Sequence, residues 1–112
     1  MEMQHCDIGD VRKVTLAGRL DSAGVDAIEI RFGAVIVPGG RNTVVDITEV
    51  TFLASLGIRM LISTTRALSR KGAKLAVFGP SPAVMEVIET TAVHEIVPVV
   101  PSESEAIALV TG

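Results

Sequence analysis

Ser55 is the residue whose placement could do chemistry. It stands where an apolar, strand-like run containing Val44, Val45 and Ile47 gives way to a helical pattern. Ile58, Leu61, Ile62, Thr65 and Leu68 recur at the spacing of one helix face, which starts a helix near Leu56 and ends the strand near Asp46. A serine just before a helix accepts a hydrogen bond from a first-turn backbone N–H, and Ser55 is read as that exposed cap. The same geometry suits a phosphoacceptor, because the unpaired N–H groups and partial positive charge of a helix N-terminus stabilise a phosphate on the hydroxyl. A nucleophilic serine fits less well. Ala54, Leu56 and Gly57 do not make the G-x-S-x-G elbow, and the next histidine, His94, has no acid in recognisable partnership. The chain is therefore read as a non-enzyme.

Other chemistry is sparse. His5 and His94 are the only histidines, and neither has a second ligand three or four residues away. Cys6, the one cysteine, has no partner for a disulfide or a metal pair and fits a reducing cytosol. Neither nucleotide-binding glycine pattern occurs, so Gly39 and Gly40 read as a turn, and no cofactor is expected. Asp21 and Asp46 read as a helix cap and a strand-end acceptor. The net charge of −3 is mixed along the chain, without a basic stripe to neutralise nucleic-acid phosphates. No leader and no apolar run of membrane-span length is present, which points to a cytoplasmic protein with neither nucleic acid nor membrane as partner.

The elements that must hold Ser55 follow from the hydrophobic pattern. At 112 residues, residues 1–112 are expected to form one domain. A hydrophobic share of 48% with no Trp, no Tyr and three Phe requires an aliphatic core, which suits strands and helices in layers. Met1 to Ile8 and Val11 to Ala17 form an antiparallel edge hairpin across Gly9 and Asp10. Residues 18–22 are a loop with a cap at Asp21 or Ser22, opening a helix with Val25, Ile28, Phe32, Val35 and Ile36 on its inner face. Gly24 and Gly33 weaken that helix by about 1 kcal/mol each relative to Ala. Pro38, Gly39 and Gly40 turn the chain into the strand Thr43 to Ile47. After the Ser55 helix, Lys71 and Gly72 end it and Lys74 to Phe78 is a strand. Ser81 caps a helix with Pro82 at its first position and Val84, Val87 and Ile88 inside. A last strand around Ile96 to Val99 leads to a capping box at Ser102 and Glu105, with Ile107 and Val110 inside the final helix. The fold class is α/β: a mixed sheet of about five strands, mostly parallel with an antiparallel N-terminal edge hairpin, and about four helices.

The run from Val44 through Asp46 and Ile47 to Phe52, Ala54, Ser55, Gly57 and Ile58 resembles the signature of STAS domains, the family of bacterial anti-sigma factor antagonists. Gly18, Arg19, Leu20 and Asp21 are similar to the family's motif after the second strand. Gly72 to Leu75 and Ser81 to Val84, with Thr90, Thr91 and Ile96, resemble its later elements. The resemblance implies a STAS-like fold and a phosphoswitch. The unmodified domain would bind an anti-sigma factor that is also a serine kinase, freeing a sigma factor for transcription. Phosphorylation at Ser55 would release that partner, and a serine phosphatase would restore binding. The partner-binding surface implied comprises Asp21, Thr51, Ala54, Ser55, Leu56, Gly57 and Arg59. Ala54 stands where the family commonly has Asp. That departure favours an alternative, a constitutive STAS scaffold or sensor that binds a partner or small ligand without phosphorylation.

Overall fold

The start of the chain forms the expected hairpin, its first strand exposed except at Met3 and its second burying Val11, Val14, Leu16 and Leu20. In a computed structural model describing residues 1–112, β1 (Glu2–Ile8) pairs antiparallel with β2 (Val11–Leu20), Ile8 opposite Val11. Gly9 makes the turn with φ 60, a left-handed conformation that glycine adopts without penalty. Strands β3 (Thr43–Leu53), β4 (Leu75–Phe78) and β5 (Val99–Val100) then add in parallel, so the sheet runs β1-β2-β3-β4-β5.

Helices α1 (Ser22–Ile36), α2 (Ser55–Ser69) and α3 (Pro82–Thr91) connect the parallel strands, and α4 (Glu103–Thr111) follows β5. The first three share one core with the sheet, in which Phe32, Leu61, Leu68 and Ile88 meet Val14, Leu16, Val45, Ile47 and Val77. A smaller cluster packs Ala106 and Val110 of α4 against Val11, Val44, Ala76 and Phe78. Successive strand residues point to opposite faces, so Val44 and Val45 belong to different clusters. Burying both faces explains the near-continuous apolar reading of β3 and β4. No helix is long and apolar enough to cross a membrane.

The elements match the expected order, and five boundaries or faces differ. β2 continues through residues 18–20, which read as loop, and β3 continues to Leu53 instead of ending near Asp46 or Ile47. The two extensions support each other, with Ala17 beside Glu49, Arg19 beside Phe52 and Leu20 beside Leu53. Register shifts after Thr15 and Gly18 break the alternation that would have revealed them. β5 covers Val99 and Val100 alone, because Val93–Glu95 forms a 3₁₀ turn and leaves Ile96 exposed. The buried side of α2 consists of Gly57, Met60, Leu61, Thr64 and Leu68, so Thr65 lies at its margin. In α4 Ala106 is fully buried beside Val110, whereas Ile107 is half-buried.

Candidate functional site

The site lies where β2 and β3 end side by side. The backbone N–H of Ala54 donates to the Leu20 carbonyl at 3.0 Å, fastening the β3–α2 junction to the end of β2. Gly57 permits this approach. A Cβ there would stand 2.8 Å from Leu20 Cγ and 2.9 Å from the Leu20 carbonyl oxygen, closer than real contacts. Gly24 has a similar role in α1, because its Cβ would overlap the Arg19 carbonyl. Its cost as a helix former is therefore offset by close packing of α1 against β2.

Ser55 is not the cap. Ala54 has the extended cap conformation, φ −104 and ψ 172, and Ser55 is the first helical residue. An alanine at the cap provides no side-chain acceptor, so the N–H groups of Ser55, Leu56 and Gly57 have no acceptor within the protein. The first intrahelical bond is Ile58 N–H to the Ala54 carbonyl, at 3.1 Å. The Ser55 side chain is exposed, free of a capping bond and at the positive end of a helix of 15 residues. Neither histidine is its partner: His94 Nδ1 lies 3.4 Å from the Ile88 carbonyl, and His5 is on β1. The arrangement leaves an exposed hydroxyl beside first-turn N–H groups that have no acceptor.

Asp21 caps α1, its Oδ1 accepting from Gly24 N–H at 2.9 Å. Its Oδ2 accepts from Arg19 Nε at 3.2 Å. The Gly24 N–H, followed by the Arg19 guanidinium, holds the Asp21 carboxyl below its ordinary carboxylate range. Arg19 also lies over the Phe52 ring, 4.4 Å from its centroid, in cation–π contact. Phe52 and Leu56 are each 40% exposed, so an apolar surface flanks Ser55 on both the strand and the helix side. Thr51 and Arg59 are exposed as well. Between α1 and α2 a groove of about 390 Å³ begins at Leu56 and Arg59 and continues past Gly33, Val37 and Met60.

The junction thus brings Ala54, Ser55, Leu56 and Gly57 together, with Leu20 linking them to Asp21. Asp46 is set apart from that surface, accepting from Thr48 N–H at 2.9 Å and Thr48 Oγ1 at 2.7 Å within β3. Arg19 and Phe52 belong to the surface but are absent from the expected set. Both lie in the stretches that resemble the STAS motifs, but their place at the junction depends on the continuation of both strands in register, which the bulges conceal.

A family model for the STAS domain matches residues 4–106. A Bordetella bronchiseptica protein provisionally named anti-sigma factor antagonist BtrV is 28% identical over 93 residues, covering 83% of this chain and 80% of that protein. The crystal structure of an anti-sigma factor antagonist from Mycobacterium paratuberculosis superposes with TM-score 0.89 at 27% identity, covering 99% of this chain and 94% of that one. SpoIIAA in its unphosphorylated form superposes with TM-score 0.77 at 21% identity, covering 99% of this chain and 97% of that one. The phosphorylated form of Bacillus SpoIIAA gives TM-score 0.70 at 21% identity, with coverage of 97% and 99%. The likeness to SpoIIAA is one of fold.

Proposed function

The chain belongs to the STAS domain family, and on that footing we propose that residues 1–112 act as a single-domain anti-sigma factor antagonist switched at Ser55. Unmodified, the surface of Asp21, Thr51, Ala54, Ser55, Leu56, Gly57 and Arg59 binds an anti-sigma factor with serine kinase activity, so that a sigma factor is freed for transcription. The kinase transfers a phosphoryl group to the Ser55 hydroxyl and the complex dissociates. A serine phosphatase resets the switch.

The observation that carries this reading is an exposed hydroxyl at an uncapped helix N-terminus, between the half-exposed apolar side chains of Phe52 and Leu56. A phosphate adds about −1.5 to −2 charges and must be desolvated whenever a partner covers the patch. It also finds acceptor-free N–H groups in the first turn of α2, so the modified helix is not destabilised by it. The cost thus falls on the complex. About 1.4 kcal/mol of it is a tenfold loss of affinity. SpoIIAA, which shares the fold, exists in phosphorylated and unphosphorylated forms, and this supports the reading.

Co-purification of tagged Ser55→Ala and Ser55→Asp variants from the protein's own cells tests it. Ser55→Ala is expected to retain a kinase-containing partner and Ser55→Asp to lose it. Equal retention by both variants contradicts the switch and favours the constitutive scaffold, the reading to which Ala54 lends support.

A further inference from the structure

Helix α1 is apolar on two sides. Its inner side buries Val25, Ile28, Phe32 and Ile36 in the core. On the opposite side Ala23, Ala27, Ile30 and Ala34 are exposed, and Ile30, at 88%, is the most exposed large hydrophobic residue of the protein. These residues recur at intervals of four, three and four, which is the spacing of the seam between two paired helices. A helix that is hydrophobic all round is ordinarily covered all round. One copy of this chain covers only the inner half of α1.

The charges beside the seam identify what covers the other half. Asp26 borders it on one flank and Arg31, five residues later, on the other. In two parallel helices related by a twofold axis, a residue on one flank meets the residue five positions on from the opposite flank of the second helix. Asp26 then faces the second copy's Arg31, and the symmetry repeats the pair on the other side. Antiparallel pairing sets like flanks together and makes neither contact. Asp26 has no cationic partner in its own chain. Arg31 is held on its flank by donating to the Met3 carbonyl at 3.0 Å, which leaves its other guanidinium N–H groups free for a carboxylate.

We propose that this chain forms a parallel, twofold-symmetric homodimer through the outer side of α1. Ile30 packs against its own copy at the axis, the alanines allow the helices to approach closely, and two Asp26–Arg31 pairs close the sides. The proposal is independent of Ser55. A seam of about three turns covers less than a standard interface, so the dimer belongs to the weak class.

Sedimentation equilibrium of the full chain at concentrations up to on the order of 1 mM reads such an equilibrium. The wild type is expected to dimerise, and Ile30→Asp, a change at an exposed position, to be monomeric with an unchanged far-UV circular dichroism spectrum. Asp26→Arg and Arg31→Asp, each alone, set like charges together and should weaken self-association at least tenfold. Mixed with each other they should recover it, because in the mixed dimer the arginine introduced at position 26 faces the aspartate introduced at position 31 on one side of the seam, and the native Arg31 and Asp26 face each other on the other. A monomeric wild type, a dimer indifferent to Ile30→Asp, or a mixture no tighter than its components overturns the proposal.

Discussion

At the scale of single residues, the junction is defined by what Ala54 lacks. Its backbone already has the extended conformation that a capping residue needs, but its side chain offers no oxygen to the first turn of α2. Ala54→Asp is therefore expected to cap the helix and stabilise the protein by about 1 kcal/mol, read as a higher denaturation midpoint in urea with an unchanged slope. An unchanged midpoint means that the first-turn donors gain nothing from a local carboxylate. Capping also places an anion where a Ser55 phosphate would seek the same N–H groups, so residue 54 bears on both stability and the proposed switch. The serine itself was legible, because the change from a strand-like to a helical pattern falls beside it. Its rank within the helix was not, because a serine at the cap and one at the first helical position differ by a single residue. Only backbone geometry separates the two.

Elements extend that picture. Asp21 ties α1 to the end of β2 through Gly24 and Arg19, while Asp7 accepts from Arg12 Nε at 2.9 Å and pairs with Arg41 at 2.8 Å at the hairpin end. Both carboxyls are held below their ordinary range, Asp21 chiefly by the Gly24 N–H and Asp7 chiefly by its hydrogen bond from Arg12. A carboxyl whose folded pKa is depressed contributes stability that is complete above its unfolded value, about 3.9, and is lost as pH falls through the folded value. Thermal midpoints should thus decline on acidification below about pH 4. The double variant Asp7→Asn, Asp21→Asn should decline less steeply, since asparagine still caps α1 but does not titrate. A parallel decline in both proteins contradicts these roles.

The elements also show where pattern reading stops. Val84 and Ile88, the Ser81 cap and Pro82 of α3 agree with the expectation because local rules alone determine them. The last residues of β2 and β3 do not obey local rules. Thr48, Glu49 and Thr51 interrupt the apolar run, Gly18 adopts φ 110, and the pairing that holds them is between segments more than 30 residues apart. Arg19 and Phe52 thus reach the site through tertiary pairing.

At the scale of the molecule, the sheet divides two unequal cores and delivers its parallel strand ends and the α2 N-terminus to one edge. That division was legible as α/β layering, since aliphatic runs buried on both faces alternate with amphipathic helices. The exposed outer side of α1 was not, because Ala is neutral in such patterns and Ile30, outside the expected inner face, is a single apolar residue that marks no second face by itself. The proposed switch makes the binding state of the domain depend on one hydroxyl, that of Ser55. Intact-mass analysis and peptide mapping of the protein isolated from its own cells, with and without phosphatase treatment, test it most directly. A single phosphate on Ser55, removed by phosphatase, is the predicted result. An abundant protein that carries no phosphate on Ser55 across growth and stress conditions would contradict it.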